Sequence, residues 1–521
     1  MRIEKLNFEN TGLFSRLFLD YIGRKKELKA FYSLFPDEGN FIKQIELKQF
    51  DPVLRQSLSE VLQKQYESIH ISPLLQQNLK LLQEANTYTI TTGHQLNIFT
   101  GPLYFIYKIV TVINACKELC SKYPEYHFVP VYWMASEDHD FEEINHIHLL
   151  GNKYTWKCDR KGAVGRMNPH SLKDLLNDMP GDNGIFRKAY LEHDTLSDAV
   201  RYYINELFGE EGLVVIEPDD RTLKQSFRHM IKDELQNHTA FSLVEGQSEK
   251  LTSLGYKPKI NPREINLFYL DDAIRERIVH ENGRYKILNS ELSFSETEIL
   301  DLAENEPEKF SPNVILRPVY QECILPNLAY VGGPAEVVYW LQLKSVFDHY
   351  KIAFPILLPR NFALYIDHAT FRKLRRTEAD VPDIFVPVNE LSDKLVEKTS
   401  DIKLELHEER NTFSHLFDDL VAKAEAIDAT LAPVVKAEAN KTLKGLQKIE
   451  KKLLKAEKRH HDDLIGQIVA WKEKLFPGGT PQERTLNFLN FFIEDADFIR
   501  KIGDGLSPLD LRYHILIDEG E

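Results

Sequence analysis

The spacing of apolar positions changes along the chain, and each change marks an element. Residues 1 to about 86 carry helical patterns, for example over 54–66 and 74–85, with Asp51-Pro52 reading as a cap and a first-turn proline. Residues 88–95, Tyr-Thr-Ile-Thr-Thr-Gly-His-Gln, begin as a Thr- and Ile-rich alternation that suits a buried strand, and Gly93 reads as a sharp turn. Leu103, Ile106, Tyr107, Val110 and Ile113 then recur at helical spacing. Gly93-His94-Gln95 is therefore expected where a strand feeds a helix.

Residues 128–135 form a second apolar run that passes straight into Ser136-Glu137-Asp138-His139-Asp140-Phe141-Glu142-Glu143. A third, 212–216, ends in Glu217-Pro218-Asp219-Asp220. Residues 313–325 read as sheet. Tyr330-Val331-Gly332-Gly333-Pro334-Ala335-Glu336 reads as a strand-to-helix turn opening a helix to about 350, and 354–358 as a last strand before Pro359-Arg360-Asn361. Two stretches interrupt this alternation. Residues 150–210 are polar and irregular, whereas 255–290 hold three short strand patterns with a hairpin turn at Asn282-Gly283.

Beyond Asn389 the composition shifts to Lys, Glu, Ala and Leu. Leu406, Phe413, Leu420, Ile427 and Val434 recur every seven residues, with Phe417, Ala424 and Leu431 interleaved, which is a heptad seam. A second run, Ile449, Leu453, Ala456, His460, Leu464, Ile468, Trp471 and Leu475, keeps the spacing with one irregular step. Pro433 marks the break, so an antiparallel helical hairpin or a pair of coiled helices is expected. Thr480-Pro481-Gln482-Glu483 reads as a capping box, and 513–517 as a strand or edge.

At 521 residues the chain needs two to four domains, and 43% hydrophobic content suffices for their cores. The net charge of −15 argues against a large nucleic-acid footprint. Cys116, Cys120, Cys158 and Cys323 form no Cys-x-x-Cys pair. The first two read as core residues, and so few thiols fit a reducing cytoplasm. The N-terminus lacks a signal-peptide core, and no run of 18 apolar residues predicts a membrane span.

In an open parallel sheet, ligands bind outside the carboxyl ends of the strands. Polar clusters at successive strand ends therefore predict a cleft with His94 and Gln95 on one wall and the acidic run on the other. His94 and Gln95 would donate to a phosphate or a tetrahedral oxyanion. Asp138, His139 or Asp140 would bind an amine or accept its proton. Arg317 and Arg360 would grip carboxylate or phosphate, unless each pairs with a carboxylate of its own chain. Ser136 or Asp138 also fits a helix cap, and Glu142 and Glu143 a solvated first turn. His146 and His148 raise a zinc reading. On a helix their rings would diverge and no third ligand is spaced to match, so no metal is assigned.

The motifs Thr92-Gly93-His94-Gln95, Ser136-Glu137-Asp138-His139-Asp140, Arg263-Glu264-Ile265-Asn266-Leu267-Phe268, Val331-Gly332-Gly333-Pro334-Ala335-Glu336, Pro359-Arg360-Asn361 and Pro481-Gln482-Glu483-Arg484 occur in this order. The set resembles the cysteine-adding enzyme family of bacillithiol biosynthesis over nearly the full chain. The resemblance implies an α/β fold: a Rossmann-like parallel sheet core, similar to nucleotidylyltransferases and class I synthetases, with two inserted lobes and a C-terminal α-helical coiled coil that forms a homodimer. It also implies a ligase joining L-cysteine to the amine of glucosaminyl malate. In class I synthetases a His-x-Gly-His holds ATP phosphates. Here only Gly93 and His94 match, Thr91 replaces the first His, and no Lys-Met-Ser-Lys-Ser-like loop precedes the coil. ATP, another nucleotide, another activated form and a partner protein all stay open as sources of activation.

The expected catalytic set is His94, Gln95, Asp138, His139 and Asp140. The expected substrate-binding set is Gly93, Asn97, Glu137, Arg317, Gln321, Gly332, Gly333, Glu336, Arg360 and Asn361. Similarity to proteins carrying a nucleotide near the coil makes Arg484 a secondary nucleotide candidate, away from the core cleft. The expected domains are a core of 1–387 with inserts at about 150–210 and 255–310, a coiled coil of 388–477, and a segment 478–521 packing back on the core. Small-molecule substrates and a second copy are the expected partners, with no nucleic acid and no membrane. The rival reading is a non-catalytic coiled-coil assembly or metabolite-binding protein on a Rossmann-like scaffold.

Overall fold

The computed structural model describes residues 1–181, 183–400, 402 and 404–520. The chain divides into two compact units: residues 7–363 with 483–514, and residues 364–482 with 1–6 and 515–521. Residues 364–387 thus group with the coil, and the stretch 478–521 is divided between the units.

The first unit is built on five strands: β1 (Thr87–His94), β2 (His127–Met134), β3 (Val214–Ile216), β4 (Asn327–Gly332) and β5 (Ile356–Pro359). All pair in parallel, in the order β5-β4-β1-β2-β3. The chain winds one way from β1 to β3 and the other way through β4 and β5. This is the Rossmann order, and its reversal leaves a crevice at the carboxyl ends of β1 and β4. Nearly every residue of these strands is buried, as a sheet covered on both faces requires. Ile90, Phe128, Leu328, Val331, Ile356 and Leu358 pack with Val112, Cys116 and Leu119 of the helix Tyr104–Lys122. Each such side chain contributes roughly 1.5–3 kcal/mol on burial.

Several expectations change. Gly93 lies inside β1, without positive φ, and the chain turns only later, at Phe99 (φ 52°), Thr100 (φ 71°) and Gly101 (φ 66°). A loop of residues 95–103 therefore separates His94 from the helix. Residues 313–325 are not sheet. Asn313 Oδ1 accepts from the Ile315 and Leu316 amides, Pro318 sits in the first turn, and Arg317–Ile324 is a helix. The helix after Gly333 breaks into Pro334–Trp340 and Lys344–Tyr350. Residues 150–210 are more ordered than their polarity predicts. Gly184–Glu192 and Leu196–Phe208 are helices, the second capped by Thr195 and burying Leu196, Val200, Tyr203, Ile204 and Phe208. The 255–310 lobe holds Leu267–Asp271, Ile274–Glu281 and Arg284–Ile287 as expected, within a five-stranded antiparallel sheet. Its turn residues Asn282 and Gly283 both take positive φ. Cys116 is buried, whereas Cys120 is exposed.

In the second unit His407–Ile427 and Ala432–Glu457 form a helical hairpin. The pairs Arg410–Glu450 and Lys436–Glu425 set its antiparallel register, and Pro433 falls in the first turn of the second helix. The second apolar run is not one helix: a 3-10 turn, Lys458–His461, separates it from Asp462–Leu475. Phe413, Leu420, Ile427, Val434, Ile449 and Leu453 are exposed along the seam. Among the described residues no helix is long and apolar enough to cross a membrane.

Candidate active site

The carboxyl ends of β1, β2 and β4 open into one cavity of about 870 Å³. Gly93, His94 and Gln95 line it from β1, Glu137, Asp138 and His139 from β2, and Gly333 and Glu336 from β4. The two expected walls meet directly, because Gln95 Nε2 donates to Asp138 Oδ2 at 2.9 Å.

His94 stacks on Phe105, with ring centroids 5.2 Å apart, and meets Tyr104 edge-on at 5.4 Å. As a residue it is half-buried, yet its Nε2 is sealed from water and has no partner among the described residues. Burial, reinforced by the Lys108 charge and opposed by Glu336, pushes its pKa down to about 3. The imidazole is therefore neutral at physiological pH. It can donate to a developing oxyanion but is a weak base.

A buried network fixes the crevice between β1 and β4. Lys108 Nζ donates to the Gly93 carbonyl at 2.8 Å and pairs with Glu336 Oε2 at 2.6 Å. Glu336 also accepts from the Tyr330 hydroxyl (2.5 Å) and the Gly333 amide (2.8 Å). Burial alone would raise the Glu336 carboxyl, but these donors hold it below the usual range. Glu336 is thus spent on the scaffold, capping the helix that begins at Pro334.

On the opposite wall, Asp138 Oδ1 accepts from the His139 amide at 2.8 Å and lies 3.5 Å from Arg275. Burial opposes ionisation there, but Arg275, Gln95 and the His139 amide hold the carboxyl below its ordinary value. Asp138 is thus held as a carboxylate. The Arg275 guanidinium also reaches His139 Nδ1 at 2.6 Å. Glu137 is fully committed to buried Lys224.

The two arginines singled out from sequence differ in kind. Arg360 is neutralised by a two-pronged pair with Glu483 at 2.7 and 3.0 Å, both side chains being buried. Glu483 is therefore no capping-box residue but the counter-charge of Arg360. Arg317 donates Nη1 to Gln321 Oε1 at 3.0 Å, packs near the Trp133 and Tyr330 rings, and feels the nearby Tyr339 hydroxyl and Glu336 charge. Among the described residues its Nη2 has no hydrogen-bond partner. A Cβ on Gly93 would stand 3.4 Å from Arg317 Nη1 and from the Tyr330 hydroxyl. Arg484, expected away from the core cleft, is exposed and lines this same cavity. Seven Lys and Arg residues line the cavity against four Asp and Glu, in a chain whose net charge is −15. The local excess of cations suits a dicarboxylate or a phosphate.

Other expected residues stand behind or outside the cavity. Asp140 is exposed and not on its wall. Gln321 supports Arg317 from behind, and Gly332 is covered by Tyr330 and Glu336. Asn361 is held by Thr111 and Ser507, and Asn97 binds the Glu143 carbonyl. The third acidic strand end is also inward: Ser136 and Asp219 surround Glu217, whose carboxyl burial raises to about 7, and Asp219 is gripped by Arg166. Lys108, Tyr104, Tyr330, Arg275 and Arg277 were not singled out from sequence. Arg275 and Arg277 had a legible signal, since positions two apart on a strand share a face. His146 and His148 lie on the strand His146–Leu149, not on a helix, so their rings share a face, 5.9 Å apart. Among the described residues no three metal-ligating side chains cluster.

The sequence matches the family model of the bacillithiol biosynthesis BshC N-terminal Rossmann-like domain over residues 1–361 and that of its C-terminal coiled-coil domain over residues 363–517. The chain belongs to the bacillithiol biosynthesis BshC family. A relative from Flavobacterium psychrophilum is 44% identical over 99% of both chains. One from Flavobacterium johnsoniae is 42% identical over 99% of this chain and 100% of its own. One from Chloroherpeton thalassium is 29% identical over 97% of each. All three carry the name "Putative cysteine ligase BshC". In this BshC-family chain the Rossmann-like region contains every residue of the cavity wall except Arg484, which the coiled-coil family region contributes.

Proposed function

We propose that this protein is a cysteine ligase, joining the carboxyl of L-cysteine to the amine of glucosaminyl malate as an amide, the last step of bacillithiol synthesis. The observation that carries this reading is the pairing, in one cavity, of a carboxylate held ionised (Asp138) with a neutral imidazole (His94) and a guanidinium in no ion pair among the described residues (Arg317). The cysteine carboxylate is a poor electrophile and must first be activated, with ATP or another nucleotide as the activating group. Arg317 would hold malate carboxylate or phosphate. The neutral amine attacks the acyl carbon, the C–N bond forms, and the activating group leaves with its electron pair. His94 and Gln95 steady the oxyanion. Nitrogen becomes strongly acidic as that bond forms, so the Asp138 carboxylate suffices to take its proton.

Purified protein supplied with cysteine, glucosaminyl malate and ATP is expected to yield the condensation product by mass spectrometry. No product with any nucleotide, from folded protein, removes the ligase reading and favours a binding or assembly role. We also propose a homodimer through the exposed coil seam, because a heptad face left in water is unfavourable. Leu420→Glu combined with Ile427→Glu is expected to halve the mass found by sedimentation. An unchanged mass removes the seam as the interface. A reducing cytoplasm is the compartment proposed, since the substrate thiol must stay reduced.

A further inference from the structure

A second, smaller chamber of about 200 Å³ adjoins the main cavity and shares two residues with it, Glu143 and Arg484. Its other walls include Asn97, Gly101, His146 and His148. The chemistry of these walls is mixed in a particular way. One carboxylate and one guanidinium stand where the chambers join, and two imidazoles stand within. Burial and the Lys153 charge lower the pKa of both His146 and His148, which favours neutral rings at physiological pH. His146 Nδ1 lies 3.1 Å from Asn145 Oδ1.

The framework around the chamber is held on every side. Asn97 is buried, donates Nδ2 to the Glu143 carbonyl at 3.1 Å, and leaves Oδ1 without a partner. Its own carbonyl accepts from the Tyr203 hydroxyl. Phe99 and Thr100, in the loop that carries Asn97 and Gly101, hold the left-handed conformation that side chains disfavour. Asn487 keeps them there by donating Nδ2 to the Phe99 and Gly101 carbonyls at 2.7 and 2.6 Å. The Asn487 amide also donates to the His148 carbonyl at 3.2 Å, and Leu103 N donates to the Leu486 carbonyl at 2.8 Å. The segment that carries Arg484 is therefore tied both to the histidine strand and to the strained loop. Gly101 is required there, because a Cβ would stand 2.6 Å from Asn97 Cβ.

We infer that this side chamber is the amino-acid subsite, binding a zwitterion whose carboxylate meets Arg484, whose ammonium meets Glu143, and whose side chain lies against the edge-on pair of His146 and His148 rings. The pattern selects a side chain with a weak donor, since a neutral imidazole accepts from S–H or O–H. A carboxylate at Arg484 sits at the junction, so the atom to be activated faces the main cavity while the rest of the molecule stays outside it. The inference rests on the ligase reading for the identity of the amino acid, L-cysteine. It does not rest on that reading for the existence of the subsite.

The test is binding, measured without turnover. L-cysteine titrated into the full-length protein under reducing conditions is expected to shift the imidazole C2-proton resonances of His146 and His148, assigned by His146→Gln and His148→Gln. Calorimetry should show Arg484→Met and Glu143→Gln each weakening cysteine at least tenfold, while glucosaminyl malate affinity changes less than threefold for Glu143→Gln. His148→Phe, which removes the ring acceptor while keeping a ring of similar bulk, should weaken cysteine binding at least tenfold. Equal thermal midpoints establish that the variants fold. Cysteine bound equally by all the variants, or moving no histidine resonance, overturns the subsite. Cysteine bound as described in a protein that makes no amide leaves the subsite standing and removes the ligase reading instead.

Discussion

His94→Ala is expected to lower kcat by about 10²–10³-fold, the usual loss when one oxyanion donor is removed. Arg317→Met is expected to raise KM for the anionic substrate, since its guanidinium lines the cavity, with Nη1 3.4 Å from where a Gly93 Cβ would stand. The pH dependence separates donor from base. With a pKa of about 3 in the folded protein, His94 stays neutral throughout the assay range, so kcat/KM should show no limb attributable to it between about pH 5 and 8. A limb near pH 6.5 that disappears in His94→Ala would identify a base and overturn the donor role. The same shift has a consequence for stability. The unfolded imidazole binds its proton near pH 6.5, whereas the folded one waits until about 3. The unfolded state therefore holds more protons in that window. The contribution of His94 is full above pH 6.5 and is lost as pH falls toward 3.

Glu483→Gln is expected to cost about 3–5 kcal/mol of stability, because it leaves Arg360 buried without its counter-charge. The loss should appear as a lower urea midpoint at unchanged slope. Replacing both residues with apolar ones, Arg360→Met with Glu483→Leu, should recover much of it, since the penalty belongs to the orphaned charge and not to the missing contact. A loss below about 1 kcal/mol for Glu483→Gln would place the pair among solvated surface bridges and contradict its burial. Activity should fall as well, because Arg360 and Tyr104 share the cavity wall beside His94.

Local pattern carried much of this architecture. The alternation in residues 88–92, the apolar run before Ser136 and the Asn282-Gly283 turn each encode their element within a few residues. The helix Leu196–Phe208 has a local signal too, with Thr195 as cap and Leu196, Val200, Tyr203 and Ile204 on one face, although the stretch 150–210 as a whole is polar and reads as irregular. Arg317–Ile324 was harder, because its apolar residues are dense enough to read as strand. Pro318 was the only local sign against it.

Which charges are free was not legible, and this separates Arg317 from Arg360. Both are arginines at strand or helix ends rich in carboxylates. Only folding brings Glu483 onto Arg360 from 123 residues away, leaves Arg317 in no ion pair among the described residues, and spends Glu336 on Lys108. The sequence by itself determined the parallel-strand core, the coil and the two polar walls, because those depend on periodicity and on residues adjacent in the chain. The tertiary structure alone decided which polar groups are consumed by partners, which remain available, and that Arg484 opens onto two chambers. Electrostatic pairing acts through space between residues remote in sequence, and burial magnifies whatever it leaves uncompensated.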